Sequence, residues 1–546
     1  MFRLPSTWRM LICITHKNHE AVSYLFSIIK ADYLQRTRSY AFLLTLAITV
    51  YVAYLFMPSH TASYTTLAVP GYKAAFNAAW VGYVSAIMTT VMLSFYGFLL
   101  VNSGIKKDIE TEVGLIIATS PISNFQYLLS KHISNYLVLL SITACICVTS
   151  MVMFFVRGGD HPFILGDFIW PYVIFALPAL FLVAALAVVA EVFLGKKSIL
   201  QFIIYFFLCG AMMAGISEAN KDGKNAIFDP FGLSTMTNSV KNQINLTYKE
   251  DIKAVSFGFI FSKPVPFQIF VWQGLNWKGS FVFSRLIWIG LGLGLVYFSS
   301  FFFHRFDFRQ APGKSKKKRL EKEPVVQLTS KSAAINLSLL PPMIADYSIL
   351  PFMKTELLLL VRKDNKWLWL ISGAIWLSTI FVPLNLAHSY LLPVLWLLQV
   401  NRWSDIATRE KTGRLHYFTY ASYKPLFRML PAQILAGITL AIFLALPVLL
   451  RYAFSLNYPT VGYILNGAFL VVLSAIFLGM ISGGKKLFEI LFFLLTYAVL
   501  NKLPLADYLG TTPHENHNNY MLIIFLLNVA LASASFLIRN YQLRHL

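Results

Sequence analysis

The fold class that this sequence predicts is an all-α, polytopic membrane protein of about twelve transmembrane helices, arranged as two parallel six-helix repeats. Three observations predict it: a chain too apolar to cover itself in water, apolar runs of spanning length, and basic residues gathered into alternate loops. Hydrophobic residues make up 57% of the chain and charged ones 13%, so lipid must be the solvent for much of the surface. Backbone polar groups in lipid have to be satisfied within their own segment, which leaves helices or a closed barrel. The apolar runs are near 20 residues and do not alternate, so helices are expected.

Spans are expected at 39–57, 78–101, 134–156, 168–193, 198–217 and 281–303, and again at 366–384, 389–403, 431–450, 461–480, 487–502 and 520–538. Each approaches the length needed to cross a hydrocarbon core of roughly 30 Å. The first 38 residues lack the short apolar core and cleavage site of a removable signal. With the N-terminus inside, the loops on the cytoplasmic side hold 34 of the 46 Lys and Arg residues. The net charge of +22 therefore reads as an orientation signal, with both termini cytoplasmic, rather than as a nucleic-acid footprint. The four cysteines form no disulfide framework; Cys145 and Cys147 lie two apart on one helix, where their side chains diverge.

The domain plan follows. Residues 1–38 form a cytoplasmic N-terminus ending in an amphipathic helix, and 39–303 the first six-span half with a long outer loop at 218–280. A basic linker at 304–345, with its run of Lys and Arg at 314–319, precedes a second amphipathic helix at 346–365, a second half at 366–538 and a tail at 539–546. Part of the long outer loop, with Phe228, Pro230, Phe231 and the stretch from Phe267 to Trp277, is expected on the membrane surface or as a re-entrant helix. Anionic lipid headgroups suit the basic linker.

Internal correspondence supports two halves. Lys30, Asp32 and Arg38 before the first half match Lys354, Glu356 and Arg362 before the second, at an offset of 324. Basic plus apolar faces of this kind lie in the interface plane. Gly114 matches Gly413 at an offset of 299, and Lys196-Lys197 matches Lys485-Lys486 at 289.

Catalytic constellations are absent. No acid or base is expected at membrane depth, since Glu191, Glu489, Lys502, Arg451, Asp167 and Arg285 fall near span ends. The phosphate-cradling pattern GxxxxGK[ST] does not occur, and Gly195-Lys196-Lys197-Ser198 reads as a basic turn. His514, Glu515 and His517 read as solvated loop residues rather than metal ligands. No metal or cofactor is expected on this chain.

The informative loop is 102–133. Asp108, Glu110 and Glu112 are expected to open a short amphipathic helix, where acids suit the helix dipole, and Pro121 follows Ser120 to end it before Ser123. Glu410, Gly413 and Ser422 stand in the matching loop of the second half. Such an element also suits a docking surface for a soluble partner.

At these residues the chain resembles the permease subunits of type-2 ABC transporters. That family carries acids, a glycine, an apolar turn, a Thr/Ser-Pro step and a Leu-Leu-Gly-Lys run after the second span. Glu110, Glu112, Gly114, Ala118, Thr119, Pro121, Ser123, Leu128, Leu129 and Lys131 match it here, with Ser130 replacing the glycine. The second half keeps Glu410, Gly413, Ala421 and Ser422, has Tyr420 at the Pro position, and places Pro425 later. The resemblance implies elbow helices at the two amphipathic stretches and coupling helices at 108–120 and 407–420 that dock two separate cytoplasmic ATPase subunits. It further implies ATP bound by those subunits alone, alternating-access export, no permease homodimer, and a bacterial inner (plasma) membrane. Two other readings share the hydropathy: a secondary transporter of the major facilitator kind, whose Gly-x-x-x-Asp-Arg-x-Gly-Arg loop is missing here, and a scaffold or sensor subunit of an export complex.

Overall fold

A computed structural model describes residues 24–58, 62, 64–158, 161–195, 198–219, 229–249, 252, 255–261, 267–275, 277, 279–303, 348–363, 366–413, 415–500, 507–511 and 517–545. The basic linker with its run at 314–319, the pair Lys196-Lys197, Phe228, Lys502, His514 and Glu515 lie outside the described residues. The protein is a mainly helical, multi-pass membrane protein. Seven helices are long and apolar enough to cross a membrane, or eight if a pair bent by 69°, Tyr24–Thr37 with Phe42–Leu55, forms one span. Leu200–Met213, Trp367–Phe381 and Leu384–Leu397 are shorter apolar helices.

Helix α1 (Tyr24–Thr37) turns into α2 (Tyr40–Leu55), where Ser39 Oγ accepts from the Phe42 amide and caps the second helix. Next, α3 (Ala78–Met92) passes through a π turn, Leu93–Gly97, into α4 (Phe98–Val101). Two short helices, α5 (Gly104–Glu110) and α6 (Val113–Thr119), lead to α7 (Asn124–Arg157). Then α8 (Leu165–Pro171), a second π turn (Tyr172–Ala176) and α9 (Leu177–Leu194) make one broken span. The pieces α10 (Ser198–Ala219), α11 (Leu233–Tyr248) and α12 (Gly279–Phe302) complete the first half.

In the second half α13 (Leu350–Arg362) precedes α14 (Lys366–Phe381). The pieces α15 (Leu384–Leu386), a π turn (Ala387–Leu391), α16 (Leu392–Leu397) and α17 (Val400–Trp403) follow. Pro393 lies just past that π turn and cannot donate a backbone bond, a recognised cause of helix irregularity. Two short pieces, α18 (Arg409–Thr412) and α19 (His416–Tyr420), are followed by α20 (Pro425–Phe454), α21 (Tyr458–Ser482), α22 (Lys486–Leu500) and α23 (His517–Arg544).

Several expectations need correction. The expected span at 134–156 is the outer part of a 34-residue helix that starts at Asn124, and the expected 389–403 begins at Leu384 and breaks after Leu397. Hydropathy marks only the apolar stretch of a helix, whereas Ser123, through a capping box with Gln126, marks the true start of α7. The fold is also not purely helical. β1 (Tyr64–Ala68) pairs antiparallel with β3 (Ser256–Phe261), and β2 (Tyr72–Ala74) pairs parallel with β4 (Gln268–Phe270). Aromatic and β-branched residues at these positions favour extended backbone. The long segment 218–280 thus carries the helix α11 and also joins the connection after α2 in two small sheets.

Packing is by close helix contact. In the first half α9 lies against both α7 and α12, and in the second α21 lies against both α20 and α23. At Gly82 a Cβ would sit 2.1 Å from the Asp167 carbonyl oxygen, so only glycine permits the crossing of α3 and α8. Asn528 on α23 donates to Asn466 Oδ1 on α21 at 2.6 Å, a buried cross-helix bond. Helix α2 packs against α21 and α22, and α22 against α4. Phe95, Phe202, Phe206 and Phe493 interlock where α10 and the first π turn meet α22, and a small apolar cavity lies between α2 and α22.

Candidate functional site

The sequence-predicted loop elements occupy one end of the bundle, and each is tied to the helices behind it. On the first half, α5 starts immediately after Ser103, whose φ of 109° is left-handed. Helix starts leave backbone N–H groups without intrahelical partners. Here one carboxylate satisfies four of them: Glu191 Oε1 accepts from Ser103 N (2.7 Å) and Gly104 N (2.9 Å), and Oε2 from Ile105 N (2.8 Å) and Lys106 N (3.1 Å). Glu191 is on the last turn of α9, so the loop helix is clamped to a spanning helix.

Asp108 provides the second tie. It does not help open a helix; it lies on the last turn of α5 and points inward, 2.7 Å from Lys131 Nζ, and accepts from Tyr127 Oη at 2.7 Å. Lys131, itself buried on α7, also donates to Asp32 of α1 at 2.6 Å. Arg36 of α1 donates to Asn135 Oδ1 (2.6 Å) and to the Val101 carbonyl (3.2 Å). Elbow, third span and loop helix are thereby triangulated around one ammonium group.

Glu110 also ends α5, and Glu112 sits between α5 and α6 with φ of 60°. The expectation that all three acids open one helix is therefore overturned: the chain breaks at Thr111-Glu112, and the dipole argument for Asp108 and Glu110 lapses with it. Glu110 and Glu112 stay exposed, beside Val113 and Ile116 on α6, the latter 72% exposed. Gly114 is buried. Ser120, extended before Pro121, ends α6 as a residue before proline should. Ser123 acts as the cap of α7, so its clearest role is local.

The elements around α13, α18 and α23 build a second such end with different groups. Glu356 of α13 binds Arg409 at 3.2 Å. Asp405 receives Lys363 and Lys485 at 2.9 Å each. Burial alone would raise its pKa, but the two ammonium groups outweigh that and hold it below the usual carboxylate range. Burial pushes the Glu356 carboxyl up, against the pull of Arg409. Glu410 faces inward, bonded to Arg539 of α23 at 3.0 Å and to Gln433 of α20 at 2.5 Å. Tyr420 accepts from the same Arg539. Gly413 is exposed with φ of −82°, and Ser422 Oγ donates to the Thr419 carbonyl. The exposed surface is apolar: Leu415, Tyr417 and Phe418, the last 79% exposed.

Of the elbow residues, Asp32 and Glu356 do structural pairing, while Lys30, Arg38, Lys354 and Arg362 are exposed. Sequence reasoning missed Arg36, Lys131 as a hub, Asp405 and the exposed tip of α19. The signal for the hub was a lysine just ahead of the expected span, eight residues past the Ser123 cap that starts α7, where an unpaired buried charge is costly.

Strain gathers here too. Of the five non-glycine residues with positive φ among the described residues, Ser103, Glu112 and Lys424 lie at junctions of this face; such conformations cost of order 1–3 kcal/mol and concentrate at functional segments.

His388 is a further buried base. It lies at the opposite end of the bundle, bonded to Tyr452 Oη and the Leu509 carbonyl. No group of three or more metal-ligating side chains occurs among the described residues. Comparison with protein-family models, with curated proteins and with solved structures finds no match to this chain.

Proposed function

We propose that this chain is the membrane permease of an ATP-driven exporter of the type-2 ABC kind, with both six-span halves in one polypeptide and two separate ATPase subunits docking on α5–α6 and α18–α19. The observation that carries the reading is the clamp on α5. A connecting loop needs no buried carboxylate spending all its acceptor capacity on four amides. A lever that must pass force to the spanning helices does. The exposed side of the same element presents Val113, Ile116, Glu110 and Glu112, a small apolar tip rimmed by acids, and Leu415, Tyr417 and Phe418 form its counterpart. Apolar tips in a charged rim suit insertion into a cleft of a soluble partner.

The twelve-span, two-repeat plan supports this reading. The seven long helices, the bent pair, the three shorter apolar helices and Lys486–Leu500 make twelve segments. The order of contacts repeats: the third, fourth and sixth segments of each half pack in the same pairs. The fifth segment of the second half, α22, meets the first and second of the first half along an aromatic seam. That seam is the closed path in this reading, and its apolar lining favours a lipidic or amphipathic cargo. ATP closure on the cytoplasmic side would move α5–α6 and α18–α19, and the halves would part along the seam.

The test is affinity purification of the tagged chain from its native membrane. A co-purifying protein with a phosphate-binding ATPase motif is expected, lost on Ile116→Arg combined with Phe418→Arg while the chain still inserts. Recovery of the intact chain with no such ATPase overturns the proposal.

A further inference from the structure

Beside the elbow helix lies a cavity of about 150 Å³, bounded by α1, α5 and the start of α22. Three cations line it from three different elements: Arg36 on α1, Lys107 on α5, and Lys486 from the second half. Two carboxylates, Asp32 and Asp108, also line it. Both of those are already engaged by Lys131, at 2.6 and 2.7 Å, and Asp108 takes the Tyr127 hydroxyl as well. Glu191, just behind, has both oxygens occupied by amides.

The cations are less well matched. Arg36 uses one nitrogen on Asn135 and Val101, and its other terminal nitrogen lies 2.5 Å from where a Cβ on Gly104 would stand, close against the start of α5. The Lys107 ammonium has no hydrogen-bond partner among the described residues and meets Asp32 and Asp108 only through space. Lys486 donates to the Leu99 carbonyl at 3.1 Å, with Glu489 no nearer than 3.9 Å. Like charges brought together in a partly dry space repel unless an anion sits between them.

We propose that this cavity is a binding site for a phosphate group, bridging Arg36 and Lys107 of the first half to Lys486 of the second. Guanidinium and ammonium groups converging from several sides suit a tetrahedral oxyanion better than a flat carboxylate. The phosphate has two sources, the headgroup of an anionic phospholipid entering beside the amphipathic α1 or a free phosphate from the aqueous side. Because the site spans both halves, its occupant ties them together at this end.

The site stands independently of the transporter reading, and its test needs only the purified full chain. The delipidated protein is offered phosphatidylglycerol or phosphatidylcholine in native mass spectrometry, and inorganic phosphate in separate calorimetric titrations. Retention of phosphatidylglycerol over phosphatidylcholine, falling about five-fold for each of Lys107→Gln and Lys486→Gln, supports the site with lipid as source. Phosphate binding lost in the same variants supports it with the free ion as source. Lys30→Gln, which removes an exposed elbow charge away from the cavity, leaves either affinity unchanged. A melting curve confirms that each variant is folded. Binding of neither probe, or equal losses with Lys30→Gln, overturns the proposal.

Discussion

Replacing Glu191 by glutamine tests how α5 is held. The side chain keeps its size and loses its charge. Its carbonyl oxygen can still accept from Ser103 and Gly104, but the amide nitrogen now faces the N–H groups of Ile105 and Lys106, donor against donor. Glu191 is buried, so water cannot readily replace the lost acceptor. Two orphaned buried donors cost about 1–3 kcal/mol each, and the two remaining bonds lose their charge assistance. A local penalty of about 3–4 kcal/mol follows, equal to two to three orders of magnitude in an equilibrium constant at about 1.4 kcal/mol per decade. Hydrogen exchange resolved by peptide should show residues 103–106 exchanging about a hundredfold faster or more, with the middle of α9 unchanged. Exchange at 103–106 indistinguishable from wild type, in protein that is otherwise folded, would refute the clamp.

Three further outcomes are expected. Asp405 has its pKa depressed in the folded state, so its ion pairs stabilise the protein above the unfolded carboxyl value of about 3.9 and the contribution is lost as pH falls through the lower folded value; an Asp405→Asn variant should melt lower at neutral pH and lack that acid-limb loss. Glu356 has the opposite sign, since its raised folded pKa favours the native state at low pH and the advantage fades as pH rises through the folded value; Glu356→Gln should flatten melting temperature against pH in that window, and an unchanged slope would count against it. Glu112→Gly should raise stability by about 0.5–1 kcal/mol by relieving the left-handed residue, whereas Glu112→Val should lower it, both read by thermal melts in detergent.

The helical membrane class was legible because it depends on composition and long apolar runs, which no tertiary contact can rewrite. The helices α1 and α13 were legible for the same reason: basic and apolar residues alternate at helical spacing in Ile29 to Arg38 and in Met353 to Arg362. Helix ends were less so. Lys131 and His132 sit inside α7, yet they read as loop because the charge of Lys131 is cancelled only by Asp32 and Asp108, remote in sequence. The sheet pairs Tyr64–Ala68 with residues almost two hundred positions later, and such pairing leaves no local periodic trace. At the loop elements, type and place were readable but not direction: Asp108 and Glu410 look like surface acids in sequence and point inward in the structure.

That inward turn changes what the acids of these loops are for. A docking helix needs two properties that compete, an exposed tip for the partner and a rigid root in the bundle. Under the proposed function, the exposed acids at the tip, Glu110 and Glu112, would face the partner. Acids at the root, Asp108, Glu191, Asp405 and Glu410, hold the element against spanning helices through Lys131, four amides, Lys485 and Arg539. The roots differ between halves. The first joins a carboxylate on backbone amides to the Lys131 ion pairs, while the second is a mesh of side-chain ion pairs and hydrogen bonds alone. Removing one partner from such a buried mesh leaves its opposite charge exposed to a poor solvent, a loss of about 3–5 kcal/mol. Lys485 and Lys486 join the two systems, since the first reaches Asp405 in the second half and the second reaches the Leu99 carbonyl in the first. The turn at Lys485-Lys486 therefore links the Asp405 cluster to α4 by polar contacts outside the apolar seam.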